Sequence, residues 1–146
     1  MPPDALEDLL PWRAPFLCID RLIACQPHRS ITTLKRISAD DMLAPPPVPV
    51  GTLWHALLAL EGINQTAALL YRLSHGEMDR DRLPLLGHMR TRFPGRARPG
   101  DTLVFEVRAV KMTRAHGLFE GTASVEGSPV VEAELSLAAA RRGEAP

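Results

Sequence analysis

The chain has 146 residues, 45% hydrophobic and 23% charged, a balance that suits one globular domain with a real core. Its 17 basic residues equal its 17 acidic ones, so no global basic character points to nucleic acid, and any charged partner must be met by a local patch. The 14 prolines cluster at 45–49 and at segment ends, as punctuation rather than as a disordered tract.

The N-terminus, MPPDALEDLL, is acidic where a secretory signal would be basic, and it lacks an apolar h-region. A cytoplasmic protein is expected. Residues 4–10 fit a short helix with Asp4 as N-cap and Leu6, Leu9 and Leu10 as its apolar edge. Pro11 stops it, and LPWRAP is a turn-rich link. Phe16 to Ala24 reads as a first strand, Gln26 to Arg29 as a turn, and Ile31 to Ile37 as a second strand rich in β-branched residues. Cys18 and Cys25, if they share one strand, lie roughly 23 Å apart. A disulfide needs Cα atoms within about 7 Å. Both are read as free thiols in a reducing compartment, and nothing suggests a metal site.

Met42 to Tyr71, MLAPPPVPVGTLWHALLALEGINQTAALLY, carries a single formal charge, Glu61. Met42 to Leu60 has no Asp, Glu, Lys or Arg, yet Pro45, Pro46, Pro47, Pro49 and Gly51 rule out one continuous membrane helix. A buried helix is expected over about 52–73, with Thr52 as N-cap and Gly76 just past its end. A carboxylate in the middle of such a helix is costly to bury without a partner or a task. Asn64 and Gln65 follow Glu61 on the same helix face.

Leu83 to Phe93 reads as a third strand, and PGRARPGD as a link. From Leu103 to Leu137 apolar and polar residues alternate, broken at Ala115-His116-Gly117 and Gly127-Ser128-Pro129. A period of two in three segments describes an antiparallel meander over about 102–140 with one buried face. The fold class is therefore α+β: one domain over 1–146, with a curved antiparallel sheet around a long central helix. One subunit would leave helix surface and sheet edges open, so a dimer is expected. The tail RRGEAP reads as frayed.

LPWRAPFLCIDRLI, LEGINQTAALL, and RFPGRARPGDTLVFEVRAVK with GLFEGTASVEGSPVVEAEL resemble the hotdog-fold 3-hydroxyacyl-(acyl-carrier-protein) dehydratases over nearly the whole chain. The resemblance implies a hotdog fold and a homodimer with composite sites at its interface, sometimes built into a trimer of dimers. It implies loss of water from a 3-hydroxyacyl thioester, on acyl carrier protein or coenzyme A, to give a trans-2-enoyl thioester. Fatty acid or polyketide (aryl-polyene-type) synthesis is the setting, and no cofactor is involved. The family's helix carries a catalytic carboxylate followed four residues later by Gln, and Glu61 and Gln65 match that spacing. An apolar tunnel favours a neutral carboxyl group, which can assist departure of a hydroxyl.

The family's His-Phe-Pro-Gly loop, whose histidine takes the α-proton, is absent. Counting back from Glu61 lands at Pro47. The nearby histidine is His55, about 120° from Glu61 on an ideal helix. Gln65 and Asn64 are candidate substrate contacts. Gly51, at the helix start, offers backbone N–H groups to a thioester carbonyl. Gly87 marks a close backbone approach within a strand. Arg90, Arg92, Arg96 and Arg98 form a local basic cluster suited to an acidic carrier protein or to coenzyme A phosphates, against an ordinary solvated strand end. His88 reads as structural, and His28, His75 and His116 as solvated. Two alternatives accompany the dehydratase reading. One is a non-catalytic acyl-thioester-binding subunit, as the loop change suggests. The other is a thioesterase, in which Glu61 would activate water.

Overall fold

A computed structural model describes residues 3–38, 53–76 and 82–141. Helix α1 (Pro3–Leu9) opens on a proline, whose fixed φ suits a first helical position. Asp4 therefore lies inside the first turn and is not the cap expected from sequence. Leu6 and Leu10 are buried in the main core.

The first strand starts later than Phe16. Phe16 and Leu17 donate their N–H groups to the Arg13 carbonyl at 2.7 and 3.1 Å, so this apolar run curls into a turn. The Cys18 N–H is taken by the Gln65 side chain. These donors are spent before any ladder can use them, and strand β1 runs Arg21–Gln26. A turn at residues 27–29, with His28 at φ 66°, leads into β2 (Ser30–Arg36). Helix α2 spans Leu53–His75, and Gly76 leaves it at φ 67°, the left-handed geometry a helix end favours. The expected cap Thr52, the proline run, and the terminal residues 142–146 lie outside the described residues.

Four strands follow: β3 (Arg82–Arg92), β4 (Thr102–Met112), β5 (His116–Val125) and β6 (Ser128–Arg141). The sheet order is β1-β2-β4-β5-β6-β3, antiparallel throughout. The meander β4-β5-β6 forms the centre, as the alternation requires. The β1-β2 hairpin extends it on one side and β3 on the other, so β1 and β3 are the two edges. Leu103, Phe105, Val107, Phe119, Ala123, Val131, Leu135 and Leu137 fill the inner face.

Helix α2 packs against this inner face through two reciprocal fits. The Phe105 ring lies over Gly62, where an added Cβ would fall 2.2 Å from the ring. Ile63 enters the space over Gly121, where an added Cβ would fall 2.5 Å from its methyl. Each fit puts a bulky side chain opposite a glycine, so helix and sheet approach closely. The Thr66 hydroxyl donates to the Gly62 carbonyl at 2.7 Å and lies 2.8 Å from the Thr33 hydroxyl, which satisfies both buried groups. Arg72 ties the far end of α2 to the Leu9 and Arg82 carbonyls. The opposite side of α2 is more open, with Leu57 43% exposed and Leu60 and Glu61 half-buried. No helix among the described residues is long and apolar enough to cross a membrane.

Candidate functional site

The open side of α2 carries the polar constellation. Glu61, Asn64 and Gln65 sit at i, i+3 and i+4, one turn of a single helix, so their side chains meet. Gln65 Nε2 donates to Glu61 Oε1 at 3.1 Å, and Asn64 Nδ2 approaches the same oxygen at 3.4 Å. Both amides converge on Oε1, which leaves Oε2 as the oxygen for a reacting group.

Gln65 has no rotational freedom of its amide. Its Oε1 accepts from the Cys18 N–H at 2.7 Å, and its Nε2 donates to the Phe16 carbonyl at 2.9 Å. A donor and an acceptor on the backbone fix which end of the amide is nitrogen. The residue is fully buried. The link before β1, bent by its Arg13 turn, thus sets the position of Gln65, and Gln65 sets Glu61. Sequence reasoning found the Glu61–Gln65 spacing but missed Phe16 and Cys18. Their contribution is made by backbone atoms, which leave no residue-type signature.

His55 lies on α2 as well, 7% exposed, with Nδ1 buried and without a hydrogen-bond partner among the described residues. Six residues of helix turn it about 120° from Glu61 and shift it about 9 Å along the axis. It shares the side of Ala59, Gly62 and Thr66, toward the sheet, and the two groups do not converge within one chain. Gly51 lies outside the described residues. Gly87 occupies a bulge in β3 between Leu86 and His88, and an added Cβ there would meet the Ser136 hydroxyl at 3.0 Å. A turn of the Ser136 hydroxyl would relieve that contact, and the bulge itself is the feature that marks this position. His88 is exposed on the same strand.

Alternation divides the arginine cluster. Arg90 and Arg92 project from the outer face of the sheet, where strand register places them opposite Glu134 and Glu132. Arg92 pairs with Glu132, which pushes the guanidinium pKa up. The register extends these pairs into two cross-strand rows, Ser30–Arg108–Glu120–Glu134–Arg90 and Thr32–Glu106–Thr122–Glu132–Arg92. Arg108 pairs with Glu120 within the first row. Together the rows line an open groove of about 710 Å³ on the side of the sheet away from Glu61. Arg96 and Arg98 stay in the exposed link between β3 and β4, with no ion pair among the described residues. His28 and His116 are exposed as expected, but His75 is half-buried and packs 4.6 Å from the Tyr71 ring. Among the described residues no group of three or more His, Cys, Asp or Glu could hold a metal ion.

The profile of the FabA-like domain family matches residues 10–134. The 3-hydroxyacyl-[acyl-carrier-protein] dehydratase FabZ of Anaeromyxobacter sp. is 34% identical over 139 residues, covering 94% of this chain and 89% of the relative. The protein of the same name from Shewanella woodyi is 33% identical over 134 residues, covering 91% and 88%. Among solved structures, the dehydratase heterocomplex ApeI:P from Xenorhabdus doucetiae matches with a TM-score of 0.77 at 20% identity, over 95% of this chain and 93% of that one. A hypothetical thioesterase with coenzyme A from Streptococcus pneumoniae matches with a TM-score of 0.61 at 9% identity, over 83% and 85%. At such identities the solved structures speak for the fold alone, and the fold they share with this chain is the hotdog fold.

Proposed function

From the premise that this chain belongs to the FabA-like family, we propose that it dehydrates 3-hydroxyacyl thioesters to trans-2-enoyl thioesters. The observation that carries this reading is the carboxyl group of Glu61, held through Oε1 by Gln65 on the open side of α2. In the neutral acid Oε1 is the carbonyl oxygen, which accepts from the amides, and Oε2 bears the proton. A base removes the substrate's α-proton, and the C–H electron pair becomes the Cα–Cβ double bond. The Cβ–O bond breaks, and the hydroxyl leaves as water with the Oε2 proton. Solvent exchange restores both groups.

For the α-proton we assign His55 of a second copy, because within one chain the helix turns His55 away from Glu61; to serve a partner's site its ring must leave the buried, sheet-facing position it holds in the single chain. This requires a homodimer with composite sites, three of which can assemble into a trimer of dimers. Asn64, Gln65 and the backbone N–H groups from Gly51 onward are assigned to the substrate side of the site, with the Gly87 bulge as a further close backbone approach. The carrier is an acyl carrier protein or coenzyme A, as in fatty acid or polyketide synthesis. Arg96 and Arg98 are its docking cations, with Arg90 on the outer face of the sheet as a further member. Arg92 is the weakest member of that set, since Glu132 already holds it. The reaction is assigned to the cytoplasm, where the thiols of Cys18 and Cys25, which form no disulfide with each other, stay reduced.

The test supplies 3-hydroxyacyl and saturated acyl thioesters and follows enoyl formation and free-thiol release separately. Enoyl product that disappears in Glu61→Gln supports the dehydratase. Thiol release without enoyl product would replace it with a thioesterase. Bound ligand with neither product would leave a non-catalytic subunit.

A further inference from the structure

Asn64 is the member of the constellation whose chemistry is left incomplete. The residue is 6% exposed, and its Oδ1 is buried with no hydrogen-bond partner among the described residues. Its Nδ2 faces Glu61 Oε1, so Oδ1 points away from that oxygen. A buried amide oxygen without a donor is costly, and an apolar side chain of the same size would remove the cost. The buried His55 Nδ1 shares this deficit but lies toward the sheet. The Asn64 oxygen is the one beside Glu61, about 60° round the helix and about 4.5 Å along its axis.

We infer that Asn64 Oδ1 accepts the proton of the substrate's 3-hydroxyl group, and so selects hydroxyacyl over saturated acyl chains. The inference rests on the dehydratase reading of the site for the identity of that hydroxyl. A hydroxyl group donates one hydrogen bond and accepts two. Glu61 Oε2 donates its proton to a lone pair of the hydroxyl oxygen. Asn64 Oδ1 takes the hydroxyl hydrogen on the other side. The pair thereby aims a lone pair at the acid, which positions the oxygen that leaves. When the Cβ–O bond breaks, the water formed keeps its hydrogen bond to Asn64. A saturated chain offers no donor, and the Asn64 oxygen then stays unpaired in the complex. Sites that hydrogen-bond a substrate hydroxyl discriminate against analogues lacking it for this reason.

The experiment measures binding of matched 3-hydroxyoctanoyl and octanoyl pantetheine amides to the wild type, Asn64→Leu and Asn64→Ala. Melting temperature and oligomeric state are recorded for each. The wild type is expected to favour the hydroxy ligand, and Asn64→Leu to lose about tenfold of that preference with octanoyl affinity unchanged. Asn64→Leu should also melt higher, because it removes a buried unpaired oxygen without leaving a cavity. A lower affinity and a higher melting temperature in one variant would not follow from damage to the fold. Equal loss for both ligands, an unchanged preference, or a wild type that binds the amides equally or not at all would overturn the inference. So would a change of oligomeric state with ligand preference intact, which would put the Asn64 oxygen at a subunit contact. Enoyl formation is assayed in parallel. If the wild type forms no enoyl product but the preference depends on Asn64, the dehydratase reading fails and the hydroxyl contact stands. If it forms product and the preference ignores Asn64, the contact fails alone.

Discussion

Gln65 Nε2 hydrogen-bonds Glu61 Oε1 across one helical turn, and the amide that does so is pinned at its other end by the backbone of Phe16 and Cys18. Replacing Gln65 with Leu keeps the volume and removes every one of these bonds. The Cys18 N–H then loses its side-chain partner, at a cost of about 1–3 kcal/mol if it stays buried, while the Phe16 carbonyl keeps the Cys18 thiol at 3.4 Å. Denaturant unfolding should show a loss in that range. Turnover should fall further than stability explains, because Glu61 loses its orienting donor. Wild-type turnover in a folded Gln65→Leu protein would remove Gln65 from the site.

Glu61→Gln is nearly isosteric. Its own side-chain oxygen still accepts from Gln65, so the melting temperature should hold. An amide has no proton to give the leaving hydroxyl. Enoyl formation should drop by about 10²–10⁴-fold, the range expected for a positioned acid. A variant within a few fold of wild type would end the acid assignment.

The central architecture was legible because it is written in side-chain period. Leu103 to Leu137 alternates as a half-buried meander must, and Glu61 with Gln65 declares a shared helix face. What was not legible depends on tertiary backbone contacts. Phe16 to Ile19 is apolar enough for a strand, yet its donors go to Arg13 and Gln65 instead of to a neighbour strand. Arg90, Arg92, Arg96 and Arg98 look like one cluster along the chain. In the sheet, Arg90 and Arg92 face glutamates of β6 that come forty residues later. His75 sits at a helix end, where solvation is the ordinary expectation, but its ring packs on Tyr71.

If His55 and Glu61 serve one site from two chains, two inactive variants should rescue each other. His55→Ala and Glu61→Gln are each expected to be inactive. When their subunits are exchanged, a mixed dimer regains one intact site, so roughly a quarter of wild-type activity returns at equal mixing. Activity should appear with the time course of subunit exchange. An active His55→Ala protein, or no recovery in a mixture shown to have exchanged, would remove His55 as the base.

Cys25 on β1 is half-buried, and burial pushes its thiol pKa up from 9.0. Below that ordinary value both folded and unfolded chains keep the proton, and the group does not affect stability. Above it the unfolded chain ionises first, so stability should fall as pH rises toward the raised folded value. Cys25→Ser should flatten that part of the stability curve. Alkylation at neutral pH should be slow in the folded protein, since the thiolate is the reactive form. Rapid labelling of Cys25 at neutral pH would contradict the burial.

Gly62 follows Glu61 directly, and its missing side chain is where Phe105 rests. Gly62→Ala puts a methyl 2.2 Å from that ring, so either the ring turns or α2 lifts from the sheet. Overpacking of this kind costs about 1–3 kcal/mol, against about 1 kcal/mol that alanine returns as helix propensity. Phe105→Leu shortens the intruding group at the cost of lost burial. The double variant should be more stable than the sum of the singles by about 0.5–3 kcal/mol, since the methyl fits once the ring is gone. Turnover gives a second reading. Lifting α2 moves Glu61 relative to Gln65, whose amide is anchored to the N-terminal link and cannot follow freely. Gly62→Ala alone should therefore lower kcat beyond its stability loss, and Phe105→Leu in the same chain should restore part of it. Additive stabilities with unchanged kcat would mean that the ring and the helix yield without strain, and that the close approach at Gly62 does not set the position of the carboxylate.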